Sequence, residues 1–220
     1  PQRLRGEDRM ITERSWNIAH AIESGLPLSQ AHEADLRVII GCGGSLGGAA
    51  VIRLVELRGI EIKDEIMRLL LDRRSEYNFC VKVGRALKPF ATENDASTIA
   101  TWADIIQVDT PPDSAEYSAG GFISGAVEFL SLLDLSVIRN EFLLGKVDST
   151  IPEIRSHILC NVIKEHHSTV ALNFAGELLL KGVKEASASI YFVARHGKDE
   201  RRPSWASFTH EHVTQLQNVT

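Results

Sequence analysis

The sequence predicts an α/β protein rich in helix, with an α/β part over residues 1–113 and a helical part over 122–220 packed with it as one compact unit; a mostly α chain is the alternative. Three observations lead there. Leu36, Arg37, Val38, Ile39 and Ile40 form a short run rich in β-branched residues and closed by glycine, the clearest strand pattern in the chain. Strand-like and helix-like segments alternate between 36 and 113. From 120 to 182 only helical periodicity remains, so the change near 114–121 is the one candidate boundary.

Taken in order, residues 12–24 read as a first helix, with Thr12 as its cap and Gly25 as its stop. The strand at 36–40 runs into a glycine loop at 41–48, and a helix at 49–58 follows, ended by Gly59. Ile60, Glu61 and Ile62 suggest a very short second strand. Asp64 caps a helix carrying Ile66, Met67, Leu70 and Leu71. Residues 79–83 fit a third strand or a continuation of that helix, since five residues do not fix a period. Asn94 or Asp95 opens a helix through Trp102. Residues 104–109 read as a strand, which Pro111 and Pro112 end because proline cannot continue a ladder. Helices are then expected at 122–133, 135–144, 151–166 and 169–181. Thr150 and Glu153 form a capping box, and Gly145 and Gly182 act as stops. A strand at 189–194, a charged turn at 198–203 and a weaker helix at 204–217 complete the chain.

A strand ending in glycines that feed a helix is how many proteins hold a dinucleotide pyrophosphate. The glycines let the backbone approach the phosphates, and the free N–H groups of the helix start attract their charge. Gly41, Gly43, Gly44 and Gly47 occupy that place here, and Glu61 follows Gly41 by 20 residues, where an acidic side chain meets ribose hydroxyls. This stretch resembles the opening unit of Rossmann-type NAD(P)-binding domains, of the extended short-chain reductase kind. Residues 103–112 resemble the later dehydrogenase strand that ends in Thr-Pro-Pro beside the cofactor. The resemblance covers 36–62 and 103–112. It implies NAD or NADP as cofactor, held by Gly41, Gly43, Gly44, Gly47, Glu61 and Thr110. Two departures stand out. The third glycine comes one residue late, at Gly47, and no Tyr-x-x-x-Lys pair exists: Tyr77, Tyr117 and Tyr191 are followed by Val81, Gly121 and Arg195. Without that pair the proton donor of the family is missing, so nucleotide binding is expected rather than hydride transfer. The plainer reading of the glycines is a tight turn or a close helix crossing.

Composition sets the remaining bounds. With 44% hydrophobic and 24% charged residues the chain is composed like a folded domain, and no apolar run approaches the roughly 18 residues of a membrane span. Residues 1–9 are polar and mixed in charge, unlike a signal peptide. Cys42, Cys80 and Cys160 are odd in number and widely spaced, which favours free thiols and a cytoplasmic setting over a disulfide framework. Cys42, near the expected helix start, fits a nucleophile less well than a small turn residue. His157, Cys160, His166 and His167 fit histidines closing a helix better than a metal centre, since neither CxxC nor HExxH accompanies them. Residues 191–197 resemble the strand-Arg-His-Gly start of histidine phosphatases, but only 23 residues follow, too few for the rest of such a site. No metal and no catalytic set is assigned.

The net charge of −5 is unevenly spread: residues 53–90 hold nine Lys/Arg and six Asp/Glu, while 91–155 hold three and eleven. Two functions from different classes follow. The first, slightly ahead, is a protein that binds a small-molecule nucleotide, NAD(P), as a divergent reductase-like protein. The second is a helix-rich structural or assembly protein, such as a viral nucleoprotein or coat subunit, with nucleic acid or its own copies as partners and no membrane. It would use Arg53, Arg58, Arg68, Arg73, Arg74, Arg85 and Lys88 on phosphates and the acidic middle on a neighbouring subunit.

Overall fold

A computed structural model describes residues 13–29, 32–109, 115–143, 152–165, 169–180, 182–183 and 186–187. Its α-helices are α1 (Glu13–Glu23), α2 (Glu33–Cys42), α3 (Gly44–Arg58), α4 (Lys63–Asp72), α5 (Tyr77–Leu87), α6 (Glu93–Asp109), α7 (Ala115–Leu130), α8 (Leu135–Leu143), α9 (Glu153–Glu165) and α10 (Thr169–Leu180), with 3-10 turns at Gly59–Ile62 and Lys88–Phe90. There is no strand among the described residues. The chain is mostly α, and the α/β class with a Rossmann-like N-terminal part is corrected.

The expected strand at 36–40 lies inside α2. Its apolar residues already had helical spacing, because Leu36, Ile39 and Ile40 fall at i, i+3 and i+4 and are 0%, 1% and 7% exposed. Arg37 bonds Glu33 one turn back, which a strand would place out of reach. The tertiary face thus overrides the β preference of a short branched run. Residues 104–109 belong to the last turns of α6, and Ile60, Glu61 and Ile62 form a 3-10 turn. Residues 79–83 are helical. The helices expected at 12–24, 122–133, 135–144, 151–166 and 169–181 correspond to α1 and α7–α10. Gly25, Gly59 and Gly182 end helices with φ of 67°, 62° and 85°. Thr110, Gly145, Thr150 and everything expected beyond 188 lie outside the described residues.

The chain divides into two compact units, one of residues 1–91 with 116–129 and the other of 92–115 with 130–220. In the first, α2–α5 and α7 bury Leu36, Ile39, Leu54, Ile66, Leu70, Phe79, Phe122 and Phe129, the apolar burial that drives folding. Glycines bring the helices together. A Cβ on Gly48 of α3 would lie 3.0 Å from the Lys82 side chain of α5. One on Gly125 of α7 would lie 2.6 Å from the Cys80 carbonyl oxygen, and one on Gly121 would lie 2.7 Å from that of Arg74. The backbone contacts leave no room for a side chain at Gly121 or Gly125, while at Gly48 the Lys82 stem would have to shift by a few tenths of an ångström.

In the second unit α6 buries Ile99, Ala103 and Ile106 alongside Ile138 and Phe142 of α8, and Ile154 and Ile158 of α9. Thr92 caps α6: its N–H and hydroxyl both donate to Asp95, at 2.6 and 2.8 Å. Arg155, 7% exposed, is held on all sides. Its Nε and Nη2 donate to the two oxygens of Asp104 at 2.7 and 2.6 Å, and its Nη1 donates to the carbonyls of Glu141 and Phe142 at the end of α8. The Gln107 side-chain oxygen accepts from the Ile154 N–H at the start of α9. Gln107 of α6 thus satisfies an open N–H at the start of α9, and Arg155, anchored by Asp104, satisfies open carbonyls at the end of α8.

Candidate functional site

Gly41, Gly43, Gly44 and Gly47 come together at an elbow between α2 and α3. Gly43 turns the chain with φ 70°, and its N–H donates to the Ile40 carbonyl while its own carbonyl accepts from Gly47. The α3 N-terminus carries the exposed donors and partial positive charge that favour an anion. The chain supplies that anion. Glu76 Oε2 accepts from the Gly44 N–H at 2.7 Å, Arg73 Nη1 donates to Glu76 Oε1 at 2.7 Å, and Arg73 Nη2 donates to the Gly41 carbonyl at 2.7 Å. The Arg73 guanidinium also lies over the Phe79 ring, 5.1 Å from its centre. Arg73 and Glu76 thus close the elbow from the turn between α4 and α5.

Glu61 is not part of the elbow. It sits past the far end of α3, a 15-residue helix of about 22 Å, and accepts from Arg58 at 3.1 Å. Thr110 lies outside the described residues. The glycines follow a helix rather than a strand, so no Rossmann unit is formed, and the resemblance to short-chain reductases is withdrawn. No family model, curated protein or solved structure matches this chain.

The basic residues expected to meet phosphate divide into two groups. Arg53 pairs with Glu56, Arg58 with Glu33 and Glu61, Arg73 with Glu76, and Arg85 with Glu128. Arg37 joins the same network through Glu33 and Glu65. The hydrogen bond from Arg37, with the nearby charge of Arg58, holds the Glu33 carboxyl below its usual range. Arg68, Arg74 and Lys88 have no ion pair among the described residues.

Arg85 and Lys88 were expected on phosphates from the sequence, but the surface they share with Tyr77 and Lys82 was missed. The side of α5 away from the core carries Tyr77, Asn78, Val81, Lys82 and Arg85, with no acidic residue, and Lys88 follows at its end. Tyr77 is 58% exposed. The Lys82 stem rests on Gly48, and its ammonium donates to the carbonyl and hydroxyl of Ser45 at 2.9 and 2.8 Å, neutral partners that leave its charge uncompensated. Arg85 donates to Glu128 through Nε and Nη2, and neither bond uses Nη1. The signal was in the sequence: between 73 and 88 five cations face one acid, Glu76.

The other candidates stay apart. Cys42 ends α2, is exposed, and donates weakly to the Val38 carbonyl. Cys80 is buried, and that burial, with the Glu76 charge, pushes its thiol up to about 12. Cys160 is buried as well. His157 lies 3.9 Å from Glu153 on its own helix, and among the described residues no three His, Cys, Asp or Glu side chains come together as a metal site. His166 and His167 lie outside the described residues. No described helix is long and apolar enough to cross a membrane.

Proposed function

We propose that this chain is a structural subunit, a helix-rich protein that works by assembling with copies of itself. One observation carries the reading. Ile105 and Val108, one turn apart on α6, are 48% and 85% exposed, while the opposite side of that helix is fully buried. Two large apolar side chains grouped on an otherwise well-packed helix are the kind of surface that a contact with another chain would cover. A second copy suits it because the chain carries its own charge complement: residues 91–155, which contain α6, have a net charge of −8, and residues 53–90 have +3. Two of the features that read as ligand chemistry have structural partners here, with Gly47 packed against Phe79 and the end of α2, and Glu76 at the α3 N-terminus.

The test compares wild type with Val108→Glu by light scattering. Because Val108 is exposed, the substitution leaves the helical content of the subunit unchanged in circular dichroism. Assembly is expected to weaken at least tenfold, since a charge buried in an apolar contact is opposed by its desolvation. A Val108→Glu protein that assembles like wild type removes α6 as the contact.

A further inference from the structure

We infer that the outer face of α5 is a track for single-stranded nucleic acid, with a base stacked on Tyr77 and the backbone phosphates on Lys82, Arg85 and Lys88. This adds a ligand to the assembly reading without depending on it. Four features of the face point to that ligand class. Its aromatic ring is open to solvent, and stacking on such a ring tolerates any base. Lys82 and Arg85 lie on one side of a single helix, and Lys88 opens the 3-10 turn at its end. Tyr77 and Arg85 are eight residues apart, and Lys82 falls between them, so an aromatic and two charges span about 12 Å, the reach of two to three nucleotides. The face has no carboxylate of its own. The two nearest are engaged, Glu76 at the α3 N-terminus with Arg73 and Glu128 with Arg85.

The cations are also held ready. Lys82 is fixed through its stem on Gly48 and its bonds to Ser45, so little further ordering is required when a phosphate arrives. Arg85 is 61% exposed in its side chain and keeps Nη1 for a phosphate oxygen. The net charge of the whole chain is negative, but charges more than about 10 Å away are screened at ordinary ionic strength, so the local balance on α5 decides. A duplex fits less well, because its bases are already stacked on each other and offer Tyr77 no free face.

The test is fluorescence anisotropy of the 220-residue chain with a labelled oligouridine of about 20 nucleotides, against a duplex of the same length, over a salt series. The single strand is expected to bind more tightly than the duplex, with a log–log salt slope of about −2 for three phosphates. Tyr77→Ala is expected to weaken binding about tenfold while Tyr77→Phe, which keeps the stacking surface, binds like wild type. Arg85→Gln is expected to reduce the slope by about 0.7, and Arg68→Gln, on α4, to leave affinity nearly unchanged. Equal binding of duplex and single strand, or wild-type affinity in Tyr77→Ala, overturns the inference. A protein that assembles but binds no oligouridine at low salt also overturns it and leaves the assembly reading standing. A protein that binds as described but stays monomeric does the reverse.

Discussion

Gly125→Ala adds one methyl group where α7 crosses α5. The new Cβ would lie 2.5 Å from Leu70 Cδ2 and 2.6 Å from the Cys80 carbonyl oxygen. The leucine tip can rotate away, but the carbonyl is helix backbone and cannot. Ordinary contact begins near 3.4 Å, so the two helices must part by about 0.8 Å, loosening Phe79 and Phe122 in the same unit. Overpacking of this kind costs about 1–3 kcal/mol, and the better helix propensity of alanine returns up to about 1 kcal/mol. A net loss of about 1 kcal/mol lowers Tm by about 2–4 °C in a chain of this length. Gly120→Ala is the control on the same helix. Nothing lies within 4 Å of its Cβ, so only the propensity gain remains, and Tm should rise by about 2 °C. The assay is a thermal melt followed by circular dichroism. If Gly125→Ala matches or exceeds wild type in Tm, α5 and α7 do not cross at these glycines.

Four further outcomes are expected. Asp104→Ala leaves the guanidinium of Arg155 buried without its carboxylate and should cost about 3 kcal/mol in urea unfolding, whereas a loss under about 0.5 kcal/mol would show the brace to be dispensable. Gly44→Val places a β-branched residue at φ 63° in open space and should cost about 1–3 kcal/mol, with Gly44→Asn costing visibly less because asparagine tolerates that conformation. Native protein should show one fast thiol, Cys42, and three after denaturation; fast labelling of Cys80 would contradict its burial and raised pKa. The Glu33 carboxyl is held below its usual range, so its contribution to stability is present above that range and is lost as pH falls through the depressed value. Glu33→Gln should therefore melt below wild type at neutral pH and alongside it in strong acid.

The C-terminal helices and the stops at Gly25, Gly59 and Gly182 were legible because spacing of three and four, with glycine at the end, has few alternatives. The strand expected at 36–40 shows where local preference misleads. Leu36, Ile39 and Ile40 fit both a branched strand and a helical stripe, and only the neighbouring core selects between them. The glycines were located well but explained by the wrong partner. Nothing in 41–48 reveals that Glu76, more than 30 positions later, accepts from the Gly44 N–H, or that Gly48 faces Lys82. The brace of Arg155 and Asp104 joins residues 51 apart and leaves no local trace. The cation-rich face of α5 was visible as composition, but its lack of acids mattered only once 77–87 was a helix with one side buried.

Self-assembly is read from the mass of the wild-type 220-residue chain, measured by light scattering from low micromolar to high micromolar concentration. The mass should rise with concentration to a multiple of the subunit mass of 24.3 kDa and fall again as salt weakens the contact between basic and acidic segments. A mass that stays at one subunit across the whole range, at low and high salt alike, would contradict it.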